Sequence, residues 1–170
     1  ELVDSMVELE LRPNLITINT LLNGLCLKGK VYEAMVLIDR IVQNGCQPNG
    51  VTYAPVLRIM CKSGKTTLAL DFVRKVEKGK IKLDVVTYNI IIDGLCRDRR
   101  VDDALNLFNG MELKGIKANV ITYNSLVGSF CNARRWNDGA QLRRDMIGRE
   151  IPPDIITFNA LIDSFVKVGN

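Results

Sequence analysis

Residues 61–70 read CKSGKTTLAL, and the SGKT at Ser63–Thr66 has the residue types of a loop that cradles phosphates. Such a loop also needs an earlier glycine, G-x-x-x-x-G-K-[ST], and a buried strand ahead of it. The position of that first glycine is Ile59, and no strand pattern precedes it. The tetrapeptide therefore reads as a turn between two helices. Five cysteines are the other candidate reagents. Zinc ligands normally pair at spacings of two to four residues. Cys26, Cys61, Cys96 and Cys131 instead stand one in each of four distant segments, and Cys46 lies apart. The four read as small core fillers, and the odd count favours a reducing compartment over a disulfide framework. The chain has no histidine. That removes the commonest general base and the usual activator of a Ser or Cys nucleophile. The expectation is a chain that is not an enzyme, with no catalytic set, no metal site and no cofactor.

What positions these residues is a repeat. Aligned beneath one another, ITINTLLNGLCLKGKVYEAMVLI from Ile16, VTYAPVLRIMCKSGKTTLALDFV from Val51, VTYNIIIDGLCRDRRVDDALNLF from Val86 and ITYNSLVGSFCNARRWNDGAQLR from Ile121 keep a strict 35-residue shift. ITFNALIDSFVKVGN from Ile156 begins a fifth copy. Thr17, Thr52, Thr87, Thr122 and Thr157 share one column and the four cysteines another. The layout predicted is the second half of a unit at 1–14, units at 15–49, 50–84, 85–119 and 120–154, and a leading helix at 155–170.

Each unit reads as two helices. In the third, Tyr88, Ile91, Ile92, Leu95 and Cys96 make one apolar stripe, and Val101, Ala104, Leu105, Phe108 and Met111 make a second after RDRR. Gly115 in KGIKAN suits a C-cap with positive φ, and Ala34, Ala69, Ala104 and Gly139 leave room for close helix approach. The Tyr53, Tyr88, Tyr123, Phe158 column reads as core, while the acids of second-helix starts such as VDDA read as solvated charge at a helix N-terminus. A lone helix pair cannot bury its stripe, so the units must stack. The fold class expected is all-α, a right-handed superhelical solenoid of helix-turn-helix repeats.

The totals are compatible with this. The chain is 47% hydrophobic and 25% charged, with a net charge of +4, so it reads as one folded unit with a mild tolerance for anions. No apolar run approaches the ~20 residues of a membrane-spanning helix. Residues 1–14 lack the features of a targeting segment. The chain reads as a piece cut from a longer protein, which leaves room for a targeting segment upstream, and both ends are expected to expose apolar faces that support end-to-end self-association.

Two polar columns stand out. Asn19, Asn89, Asn124 and Asn159 recur early in the leading helices, with Ala54 and then Pro55 as the departure, which a first turn would tolerate. Asn14, Asn49, Asp84, Asn119 and Asp154 close successive units. N-capping explains the closing column, but Asn is a mediocre residue inside a helix.

The 35-residue unit with VTYN, IDGLC, VDDAL and a closing KGI…N/D resembles the pentatricopeptide repeat, in the pure long form of plant restorer-of-fertility-like and RNA processing factors, over essentially the whole chain. The resemblance implies binding of single-stranded RNA, about one base per unit. It implies base readers in the pairs Asn19 with Asn49, Ala54 with Asp84, Asn89 with Asn119 and Asn124 with Asp154, with Asn159 opening the next. It also implies base-sandwiching by Ile16, Val51, Val86, Ile121 and Ile156, and phosphate contacts by Lys62, Arg97 and Lys167, a column interrupted by Leu27 and Asn132. The bases implied are C or U, one undetermined with a purine lean, C or U, and then U. The setting implied is organellar RNA processing (end maturation, stability or translation control), in the mitochondrion first and the chloroplast second. Any cleavage would come from a recruited nuclease. The competing class is a protein-binding scaffold of the tetratricopeptide kind, whose 34-residue period and W-x-x-L-G signature this chain lacks.

Overall fold

The computed structural model describes residues 15–79, 81 and 83–168, with 164–168 in backbone only. The second-half unit predicted for 1–14, and Asn14 with it, lies outside the described residues. Among the described residues the fold is all-α: α1 (Leu15–Leu27), α2 (Val31–Gln43), α3 (Gly50–Lys62), α4 (Thr66–Lys78), α5 (Val85–Arg97), α6 (Val101–Leu113), α7 (Val120–Asn132), α8 (Trp136–Gly148) and α9 (Ile155–Val168). SGKT lies where a turn was expected, with Gly64 at φ 70° between α3 and α4.

Each leading helix from α3 onward is started by the residue that closes the preceding unit. Asn49, Asp84 and Asn119 cap α3, α5 and α7 by accepting the backbone N–H of Thr52, Thr87 and Thr122, and Asp154 Oδ1 accepts that of Thr157 at 3.0 Å. A cap of this kind is worth about 0.5–2 kcal/mol. Each leading helix before α9 ends in a Schellman turn. Lys30, Lys65, Arg100 and Arg135 donate to the carbonyls of Leu25, Met60, Leu95 and Phe130, each at 2.9 Å. The residue before the donor must be left-handed. Gly29 and Gly64 meet that requirement at no steric cost, but Arg99 and Arg134 adopt the same conformation at φ 59°. Holding an L side chain there costs about 1–2 kcal/mol.

The leading helices pack directly on one another in the order α1, α3, α5, α7, α9. Each second helix touches its own leading helix and the next one, and no second helix approaches another. The row with the closer spacing lies inside the curve, so the leading helices form the concave face. The core lies between the rows, with Tyr53, Tyr88, Tyr123, Ile18, Leu22, Leu57, Ile91, Leu95 and Met111 fully buried. Tyr53 meets Phe72 and Phe108 meets Tyr123 edge to face. Ala34, Ala69 and Ala104 are sealed at the helix crossings, as their size requires.

Four expectations need correcting. Phe158 is 42% exposed, because no helix after α9 covers it among the described residues, and the Arg143 guanidinium lies over its ring instead. Cys96 is only half-buried, although burial still pushes its thiol up to about 11. The acids at second-helix starts are more than solvated charge: Arg135 reaches back a unit to Asp102 at 2.5 Å while holding Asp138 at 2.7 Å. Pro55 is the sixth residue of α3, past the first turn. There it withholds the N–H that Val51 C=O would accept, a local defect that the packed row must tolerate.

The two helical glycines of one column differ in what they allow. A Cβ on Gly94 would sit 2.8 Å from Cys61 Sγ and 2.9 Å from its Cβ, whereas one on Gly24 meets nothing within 4 Å. Gly94→Ala is expected to destabilise by about 1–3 kcal/mol through overpacking, and Gly24→Ala to stabilise by about 0.5–1 kcal/mol through helix propensity. Urea midpoints of the two variants should move in opposite directions.

Candidate nucleic-acid interface

The concave row carries apolar side chains that no core contact accounts for. Ile16 is 75% exposed, Val51 60%, Val86 49%, Ile121 58% and Ile156 58%. A β-branched residue left in water in the first turn of every leading helix has the character of a contact surface. These are the five residues expected to sandwich bases.

Beside them the two polar columns meet. Asn124 Nδ2 donates to Asp154 Oδ1 at 2.9 Å, and Asn89 Nδ2 donates to Asn119 Oδ1 at 3.1 Å. The residues paired by sequence are thus in contact in the third and fourth units, although 30 positions separate them. The column of threonines, which sequence reasoning used only to align the units, completes the network. Thr157 Oγ1 donates to Asn124 Oδ1 at 2.5 Å, and Thr122 Oγ1 donates to Asn89 Oδ1 at 2.6 Å. Each Thr thereby ties the cap of its own helix to the reader on the preceding leading helix. The sequence signal was an invariant Thr at a buried position, where a hydroxyl must find a partner.

The network decides which atoms are left over. All three N–H bonds to the Asp154 side chain, from Asn124 Nδ2, Ile156 N and Thr157 N, end on Oδ1. Among the described residues Oδ2 is uncommitted, and it is an acceptor. In Asn119 the same position Oδ1 takes Asn89 Nδ2 and Thr122 N, so among the described residues the uncommitted group is the Nδ2 donor. Capping needs the oxygen, which forces the amide orientation. One hydrogen on Asn89 Nδ2 and one on Asn124 Nδ2 also remain free among the described residues. The third unit therefore offers donors alone, and the fourth offers a donor beside an acceptor.

The first two units are built differently. Asn19 Oδ1 is buried without a partner, because Thr52 Oγ1 donates to Asn49 Oδ1 at 3.2 Å rather than to the reader. In the second unit Ala54 has no amide, and Asp84 turns instead toward Gly50. A Cβ at position 50 would lie 2.5 Å from Asp84 Cγ and Oδ2, so the Asp84 position requires glycine there. Asp84 Oδ1 accepts Thr87 N at 2.9 Å and Thr87 Oγ1 at 2.8 Å. Gly50, Val51, Ala54, Pro55, Asp84 and Val86 line a groove of about 380 Å³. Asn159 is exposed on α9. Of the expected phosphate column, Lys62 is exposed beside this groove, Arg97 is held by Asp93, and the Lys167 side chain lies outside the described residues.

The Asp154 carboxyl is held below the ordinary aspartate range, first by the Thr157 backbone N–H. Burial pulls the other way, and the Asn124 amide, the Thr157 hydroxyl and the Ile156 N–H add to the lowering. A depressed folded pKa means that this carboxylate's contribution to stability is fully present above the unfolded value, about 3.9, and is lost as pH falls through the folded one. The stability difference between wild type and Asp154→Asn, which does not titrate, is expected to be flat above about pH 4 and to shift against wild type below it. Acid unfolding followed by circular dichroism measures it, and a difference constant down to the acid transition would show that the carboxylate is not held.

Comparison with known proteins bears on the fold and the family. The model of the PPR repeat family matches residues 13–58, 51–97, 83–132 and 118–167. No curated protein matches the chain. Among solved structures, the pentatricopeptide repeat protein PPR10 from maize superposes with a TM-score of 0.80 at 22% identity, over 96% of this chain and 24% of PPR10. PPR10 in complex with an 18-nt psaJ RNA element gives 0.76 at 22% identity, over 97% and 24%. The PPR domain of Arabidopsis thaliana protein-only RNase P 1 in complex with tRNA gives 0.72 at 19% identity, over 89% of this chain and 80% of that one. The chain spans about a quarter of the length of PPR10.

Proposed function

The chain belongs to the PPR repeat family, and on that premise we propose that it is a sequence-specific single-stranded RNA-binding module that reads about one base per unit. The observation that carries this reading is the recurrence, on one concave face, of exposed aliphatic residues flanking a pair of Asn/Asp side chains with uncommitted hydrogen-bonding atoms. A base offers two apolar faces and a polar edge, and the third and fourth units present the complement of both. PPR10 and the RNase P 1 PPR domain were each solved with RNA, which supports the same reading.

The leftover atoms give the base preferences a physical form. Uracil presents an N3–H donor between two carbonyl oxygens. Asp154 Oδ2 can accept that proton while Asn124 Nδ2 donates to a flanking oxygen, so the fourth unit reads U. In the third unit Asn89 and Asn119 both donate, which suits the acceptors N3 and O2 of cytosine or the two carbonyls of uracil. Asn19 and Asn49 give the first unit the same C or U preference, and the second, with Asp84 alone, leans to a purine. The module supplies recognition, and any cleavage comes from a recruited nuclease. RNA processing in an organelle, the mitochondrion first, is the setting that accompanies this reading.

Salt separates this proposal from a protein-binding scaffold. RNA affinity should fall with a log–log slope of about −0.7 per phosphate contacted, and affinity indifferent to salt would point to a protein partner. Asp154→Asn turns the outward Oδ2 into an Nδ2 donor while Oδ1 keeps capping α9. The preference at that base should move from U toward C by several-fold or more, since a mismatched buried polar group costs about 1–3 kcal/mol. Titration of both proteins against two RNAs differing at that base tests it; an unchanged ranking would mean that residue 154 does not read the base.

A further inference from the structure

Two arginines stand where the fold asks for glycine. In the left-handed position that ends each leading helix, the first two units carry Gly29 and Gly64, and the third and fourth carry Arg99 and Arg134. Strain by itself identifies nothing, since Glu150 has the same φ of 59° at the end of α8. Charge, freedom and placement set the arginines apart. The neighbouring Arg100 and Arg135 are occupied: Arg100 holds Asp103 and the Thr67 hydroxyl, and Arg135 holds Asp138 and Asp102. The backbone N–H groups of Arg99 and Arg134 close their turns on Cys96 and Cys131, but their guanidinium groups make no ion pair or hydrogen bond among the described residues, and both residues are exposed.

Both open onto one groove of about 660 Å³ between α5 and α7, lined also by Asp93, Arg97, Ser125 and Asn132. Its charge is three guanidinium groups against the one carboxylate of Asp93, which Arg97 already holds. Asp98, between Arg97 and Arg99 in sequence, is not part of the lining. Ser125, the neighbour of the reader Asn124, joins this groove to the row of readers. Its basic end lies eight residues from Asn89 along α5, about 12 Å at the helical rise. The fourth unit has Asn132 where the cationic column belongs, so cation is missing from the column and supplied two residues later.

We propose that Arg99 and Arg134 form a phosphate clamp on the RNA backbone, in the groove between the third and fourth units, taking over from the interrupted column at Asn132. This rests on the RNA reading. Each guanidinium offers a planar fork of donors that matches phosphate oxygens, and phosphate contacts hold register without reading sequence.

The test replaces both with the residue that the first two units use. Arg99→Gly/Arg134→Gly relieves the left-handed positions, so the fold should be no less stable, and a thermal melt checks this. A charge-matched control, Arg74→Gln/Arg144→Gln, removes two exposed arginines from second helices, where they are bonded to Asp71 and Gln141. The probe is a U/C-rich single-stranded RNA titrated at several salt concentrations. The expected result is a log–log slope shallower by about 0.7 per lost contact, hence about 1.4 for the pair, with weaker binding at low salt, an unchanged ranking of bases and a control close to wild type. Wild type that binds with a slope equal to that of the glycine variant overturns the clamp alone. A control that flattens the slope equally overturns it too, since net charge would then be the cause. Wild type that binds no RNA overturns the RNA reading and the clamp together.

Discussion

One oxygen per unit organises this molecule. The Oδ1 of the closing Asn or Asp accepts the N–H that would otherwise be orphaned at the start of the next leading helix. In the third and fourth units it also accepts the amide of the reader on the preceding leading helix. Helix initiation, the joint between units and the orientation of the reading pair therefore depend on a single acceptor. Because that acceptor is saturated from inside, only the other terminal atom of the side chain faces outward. A one-atom difference, Oδ2 in Asp154 or Nδ2 in Asn119, then reverses the hydrogen-bonding sense of a site whose frame is otherwise unchanged.

The frame owes its curvature to unequal rows. Leading helices touch along the concave side, and second helices are kept apart on the outside. That outer gap is spanned by long polar side chains: Lys114 to Glu77 at 2.6 Å, Arg135 to Asp102 at 2.5 Å and Arg149 to Glu112. Exposed pairs of this kind contribute little stability, about 0–1 kcal/mol each. Their part is to fix the spacing between units that the buried inner row cannot fix by itself.

The second unit shows how three departures from the pattern fit together. Ala54 removes the amide that would hold the closing acid, Gly50 opens the space into which Asp84 turns, and Pro55 sits in the same turn of α3. All of them line the groove that also holds Val51 and Val86, and they leave a carboxylate there with no amide from position 54 beside it, so this unit presents an edge unlike its neighbours.

The strict 35-residue period was enough, by itself, to determine the helix pairs, the stacking, the turn identity of SGKT and the capping column. Each of these follows from local periodicity or local backbone chemistry, which a repeated sequence states several times over. Only the tertiary structure decided what happens across 30 or more positions. It brought Asn124 onto Asp154, gave Thr157 to Asn124 and withheld Thr52 from Asn19, and turned Asp84 toward Gly50. It also showed Arg100 and Arg135 occupied and Arg99 and Arg134 free, though the two pairs are adjacent in sequence. The physical reason is that a hydrogen bond or ion pair is settled by distances of a few tenths of an ångström between packed helices, and residue type and spacing along one chain do not carry that information.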